Sequence, residues 1–212
     1  MDILVSFLRA VCGAFAVSLL VFLSINSLLA SRRPAGESTG PGAAILHWPF
    51  YYVFTLTFDI AVGVLLWIPL PGTPWADWIA VLGALLILPG LAFALWGRLA
   101  LGKNYFVSTN FGAQTFTGHR LITSGPYRIV RHPMYFGIIV AALGSLPLYQ
   151  TWTTVFLILI GLIIVRRAMV EEKVLAKTFG AEWTEYCRRV TMLFPFPLPK
   201  MGRGEGRGQD DE

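Results

Sequence analysis

Side chains able to do chemistry gather in two stretches of this chain of 212 residues. The first, residues 102–137, reads LGKNYFVSTNFGAQTFTGHRLITSGPYRIVRHPMYFG and sets Arg128, Arg131 and His132 against an oily segment. The second, residues 166–190, reads RRAMVEEKVLAKTFGAEWTEYCRRV and places Arg167 one helical turn before Glu171. A carboxylate there can accept from hydroxyl or amine donors, and an arginine can hold an anion by a bidentate pair. His132 can take a proton from a thiol or an amine. Gly125 and Pro126 make a turn, and a short helical turn through Arg128–Arg131 would put both arginines on one face. Pro133, in the first turn of a following helix, leaves amide donors that favour an anion. Each feature has a plainer reading as well. Arginines beside a span anchor it to headgroups, EEK can be a solvated face, and an interfacial histidine can be structural. The 3 histidines and 2 cysteines show no metal-ligand spacing, so no metal is expected.

The elements that position these groups belong to a membrane. The chain is 55% hydrophobic and only 14% charged, against about 25% charged in soluble domains. An all-α integral membrane protein of about five transmembrane helices follows. The apolar segments are Ile3–Ala30, Trp48–Leu70, Trp75–Leu101 with Pro89 as a kink site, and the shorter Met134–Leu148 and Thr151–Val165. The last two read as a helical hairpin with Pro147 near its tip, which brings both polar stretches to one membrane face. Leu175, Phe179, Trp183, Tyr186, Cys187 and Val190 recur at helical spacing, marking a C-terminal amphipathic helix with a break near Gly180. Arg9 can snorkel toward an interface. It is also the one basic residue of 17 that five spans do not place on a single side. The positive-inside rule then puts the N-terminus outside and the tail in the cytoplasm. The net charge of +5 is explained by topology without nucleic acid. The long first apolar run, with Asp2 ahead of Arg9, is not a signal peptide. Cys12 and Cys187 lie in different environments, so no disulfide is expected. Residues 1–97 hold the N-terminal spans, 98–196 the chemistry, and 197–212 a solvated tail. Asp59, in the middle of the second span, is either a functional group or the partner of Thr55 or Thr57.

HRLITSGPYRIVRHPMYFG, followed by EEKVLAKTFGAEWTEYCRRV and a closing LFPF, resembles the isoprenylcysteine carboxyl methyltransferase family. That family sits within membrane methyltransferases that include phospholipid N-methyltransferases. The resemblance covers roughly residues 98–196. It implies S-adenosylmethionine in a cytoplasmic pocket built from both stretches, and a lipophilic acceptor arriving from the bilayer. Carried over by motif, the cofactor contacts are His119, Arg120, Leu121 and Ile122 in HRLI, Tyr127 in GPYR, and His132, Pro133, Met134 and Tyr135 in HPMY. Glu171 and Glu172 in the EE pair complete the set, with Gln114 upstream. Arg167 matches the acceptor-handling position, and it joins His132 and Arg131 as the catalytic candidates. The acceptor implied is a carboxylate, isoprenylcysteine-like or an isoprenoid or lipid acid; a phospholipid amine or a thiol is the alternative. No protein partner is implied. The membrane is a bacterial or archaeal plasma membrane, or the endoplasmic reticulum if the source is eukaryotic. Sterol-reductase-like enzymes share RHP-x-Y and bind NADPH, which makes a membrane reductase the rival; a non-enzymatic anchor leaves the polar cluster unexplained.

Overall fold

A computed structural model describes residues 2–72, 75–109 and 111–195. The expected tail from 197 onward lies outside the described residues. Six helices dominate: α1 (Asp2–Ser31), α2 (Pro49–Leu65), α3 (Asp77–Leu101), α4 (Pro133–Tyr149), α5 (Trp152–Phe179) and α6 (Ala181–Arg189). α1, α3 and α5 are long and apolar enough to cross a membrane, while α2 and α4 are shorter apolar helices. The chain is a helical integral membrane protein, and its large apolar side chains turn outward: Phe7 and Phe22 on α1, Phe54 and Phe58 on α2, Leu85 on α3. In water such a surface would be untenable, whereas in lipid it is solvated.

Small residues hold the interior together, because hydrocarbon gives helices no hydrophobic reason to associate. α3 and α4 run antiparallel along a glycine seam. A Cβ added at Gly90 would lie 2.7 Å from the Gly137 carbonyl oxygen, and one at Gly83 would lie 2.6 Å from that of Gly144. α1 lays Val5, Cys12 and Leu19, spaced by sevens, against this pair. Arg9, expected to reach for an interface, is exposed near the start of α1. Its Nε donates to the Leu148 carbonyl at 2.9 Å, near the C-terminal end of α4, where unpaired carbonyls welcome a cation.

Two expectations about the elements need correction. Thr151–Val165 is not a short span, since α5 continues as one helix past Arg166 and Arg167 to Phe179. The amphipathic pattern therefore begins inside α5 and passes into α6 at Gly180, whose φ of 53° ends the first helix. Residues 102–124 are also not simply loop. β2 (Val107–Ser108) and β3 (Ala113–Phe116) pair antiparallel, and β1 (Ala35–Thr39), from the α1–α2 connection, pairs with the other edge of β3. Strands this short carry little periodicity, which is why composition reads them as turn. Pro89 and Pro147 both lie inside their helices, α3 and α4.

Candidate active site

SGPYRIVRHP is held from three sides. A 3₁₀ turn over Gly125–Arg128 buries Pro126 and Tyr127, so the helical turn expected through Arg131 stops at Arg128. Arg128 is exposed while His132 is buried. The chain leaving α6 then returns alongside: the Arg131 and His132 amides donate to the carbonyls of Thr191 at 2.9 Å and Met192 at 3.0 Å. Tyr186 of α6 donates to the Tyr127 carbonyl at 2.7 Å. Arg131 closes the arrangement by donating to the Val190 carbonyl at 2.6 Å, beyond the C-terminus of α6, and to Glu172 at 2.8 Å. Its contacts are those of a clamp between α5 and α6.

Glu171 is the hub. Its carboxylate receives hydrogen bonds from Ser108 of β2 and Tyr135 of α4. Arg167, one turn back on α5, lies 3.8 Å away and donates through Nε to Ser108 at 2.7 Å. On the other side His132 is the N-cap of α4, its ring stacked on Tyr135 at 5.7 Å. Its Nδ1 lies 3.5 Å from Glu171 and its Nε2 lies 3.3 Å from Glu172. Burial alone would lower the imidazole pKa, but hydrogen bonds and charge from the two glutamates outweigh it and raise it above 6.5. Tyr127 moves well above 10, by burial first and the Glu171 charge second. His119 goes the other way. Burial, with the Arg33 charge behind it, lowers its pKa to about 4, and its Nδ1 is buried without a hydrogen-bond partner. It sits among the rings of Phe106, Phe116 and Phe179.

These groups face a cavity of about 350 Å³, at the lower end of the usual range for small-molecule sites. Of the residues expected from sequence, His119, Arg120, Leu121, Ile122, Tyr127, Arg131, His132, Met134, Tyr135, Arg167 and Glu171 line it. Glu172, Pro133 and Gln114 do not. Glu172 stands behind the wall, bonding Arg131 and His132. Pro133 begins α4 and is fully buried. Gln114, on β3, faces a separate small hollow shared with Arg33 and Phe116. Sequence reasoning missed Ser108, Trp183 and Tyr186 as lining residues, and most of the contribution of α1 and α2: Leu20, Leu23, Ser24, Ser27, Tyr51, Tyr52 and Thr55; Asp59, singled out as a candidate functional group, also lines the cavity. A signal did exist, since Ser24 and Ser27 on α1 and Tyr52, Thr55 and Asp59 on α2 repeat at helical spacing within apolar runs.

Chemically, the cavity offers a carboxylate hub, apolar and aromatic walls, and guanidinium groups with spare donors at Arg120 and Arg167. Arg167 uses Nε on Ser108, and among the described residues no group bonds its two terminal nitrogens. No group of three or more histidine, cysteine, aspartate or glutamate residues that could hold a metal occurs among the described residues.

Comparison with known proteins bears on these features. A family profile described as phospholipid methyltransferase matches residues 78–182. A probable protein-S-isoprenylcysteine O-methyltransferase from Oryza sativa is 24% identical over 192 residues, covering 89% of this chain and 97% of its own. A methanethiol S-methyltransferase from Bradyrhizobium diazoefficiens is 28% identical over 156 residues, covering 68% of this chain and 53% of its own. A Delta(14)-sterol reductase from mouse is 35% identical, but over 79 residues, which are 36% of this chain and 19% of its own.

Proposed function

We propose, from the premise that this chain belongs to the S-adenosylmethionine-dependent membrane methyltransferases related to the phospholipid and isoprenylcysteine enzymes, that it methylates a lipophilic carboxylate. The observation that carries the carboxylate is the guanidinium of Arg167, fixed at Nε and free at both terminal nitrogens. That is the geometry for a bidentate grip on a planar anion.

The cavity's chemistry fits the cofactor. Leu121, Ile122 and Trp183 supply an apolar slot for a flat ring. The Glu171 carboxylate supplies an acceptor for hydroxyl and ammonium groups, and the Tyr127 and Tyr135 rings give a cation aromatic faces. When bound, S-adenosylmethionine supplies a methyl carbon on a cationic sulfur, which an oxygen nucleophile attacks in line as the carbon–sulfur electron pair returns to sulfur. A carboxylate acceptor is ionised already and needs no base. Arg167 orients it, Tyr135 and Ser108 hold Glu171 in place, and the surrounding helices exclude water. A thiol or amine acceptor would need a proton removed. His132 is poorly suited to that, since both its ring nitrogens face glutamates and its raised pKa favours the protonated form. His132 is assigned here to holding the two glutamates. Arg131, clamping α6, positions the wall that carries Trp183.

The same reading gives five membrane segments with α4 and the first part of α5 as a hairpin, and α6 as an amphipathic element at the membrane surface. Residues 98–196 form the methyltransferase core behind the N-terminal spans of 1–97. The N-terminus lies outside and the cavity opens at the cytoplasmic face, where a soluble donor and a dissolved lipid can meet. The test is transfer of radiolabelled methyl into a total lipid extract and into prenylcysteine analogues. Methyl esters release volatile methanol in mild base, and that is the expected product. Label that survives base treatment would mean an amine or thiol acceptor.

A further inference from the structure

The cavity does not end at the cofactor-side residues. It continues between α1 and α2, and there its lining stays polar where lipid-facing helices are apolar. The two helices are held in register, because Tyr52 and Ser31 share a side-chain hydrogen bond. Two turns separate Ser31 from Ser24 on α1, and two turns separate Tyr52 from Asp59 on α2, about 10 Å in each case. Since α1 ends and α2 begins at the same membrane face, Ser24 and Asp59 lie at one level. Ser27 and Thr55 fall between. All four side chains line the cavity.

Asp59 is the unusual member. Thr55, one of its expected partners, donates instead to the Tyr52 carbonyl at 3.1 Å. Among the described residues, no side chain forms an ion pair or hydrogen bond with Asp59. A carboxyl group placed inside a span without a protein partner is costly, and such groups mark ligand paths. We propose that Asp59, with Ser24, forms a second polar subsite of the acceptor pocket, about two helical turns beyond the level of Tyr52 and Ser31, which binds a hydrogen-bond donor on the acceptor, a hydroxyl or an amine. The acceptor is then an amphiphile with two polar points, and a plain prenyl or acyl chain is a poorer substrate. The inference rests on the carboxylate reading above for what sits at Arg167.

Three kinds of probe separate the two claims: octadecanoic acid, and the same acid bearing a hydroxyl or an amine, each supplied as a set with the donor at successive positions along the chain. Ester formation by full-length protein in nanodiscs reads the carboxylate assignment. Binding of tritiated probes to the same protein reads the subsite, whether or not ester forms. The best-placed donor-bearing acids should bind the wild type about tenfold to a hundredfold more tightly than the plain acid. Asp59→Leu should abolish that preference, and Asp59→Asn, which keeps an acceptor oxygen, should retain part of it. Equal binding of all the acids, or a preference that survives Asp59→Leu, overturns the subsite. Donor-selective binding without ester overturns only the carboxylate reading. The hydroxyl and amine arms tell a neutral donor from a cationic one.

Discussion

Replacing Glu171 with leucine puts the hub itself under test. The substitution removes an acceptor for Ser108 and Tyr135 and leaves Arg167 facing no nearby anion. Breaking a buried pair by removing one partner costs about 3–5 kcal/mol, because the remaining charge is stranded. The Arg167 side chain is 33% exposed, so solvent screens part of the loss. His132 can shed its proton, and Ser108 and Tyr135 can each turn to other acceptors. A loss of about 3 kcal/mol is therefore expected. For a chain of this size that is a fall of about 6–12 °C in Tm, read by thermal unfolding in detergent. The sharper readout is the cycle with Arg167→Leu. Removing both partners takes the stranded charge away, so the double variant should lose less than the sum of the singles, with a coupling of about 1–3 kcal/mol. A single-variant loss below about 1 kcal/mol, or strict additivity, would refute the hub.

Three further outcomes follow from the same geometry. His132 has a raised pKa in the fold, so the stability its charge contributes is complete below about pH 6.5 and lost as pH rises through the folded value. The Tm advantage of wild type over His132→Gln should therefore shrink on going alkaline, and an advantage independent of pH would contradict the glutamate pairing. His119 has its pKa lowered to about 4, so the unfolded chain takes the proton first and stability falls as pH drops from about 6.5 toward that value. Relative to wild type, His119→Phe should gain stability across that window, measured by unfolding at stepped pH. Gly90→Leu must push against the Gly137 carbonyl oxygen, so α3 and α4 should separate; retained Tm and activity would show that the seam is not close-packed.

How far the sequence carries the account depends on which element is considered. α1 and α3 are legible because twenty or so apolar residues in a row have one stable fate in a bilayer, whereas α5 read short because its apolar run stops at Arg166. The Arg167–Glu171 pair is legible because a helical turn fixes its spacing locally. Ser108 is not, since its place on Glu171 depends on the short strand β2 pairing with β3, a non-local event with almost no periodic signature. Arg131 shows why residue type alone misleads: it looks like an anion ligand until Glu172 takes its Nε and Nη2 and the carbonyls of Cys187 and Val190, at the end of α6, take its Nη1. The helical spacing of Tyr52, Thr55 and Asp59, and the sevens linking Gly83, Gly90 and Gly97, lie open in the sequence. Their meaning needs the facing helix. Polar residues on one stripe of a span can pair with a neighbour or line a cavity, and only the packing of α1 against α2 decides between them.

The most direct measurement is calorimetric titration of detergent-solubilised wild-type protein with S-adenosylhomocysteine and, separately, with NADPH. The account predicts saturable one-to-one binding of S-adenosylhomocysteine, weakened at least tenfold in Glu171→Leu, and no heat from NADPH. Binding of NADPH alone, or S-adenosylhomocysteine affinity unchanged in the variant, would contradict it.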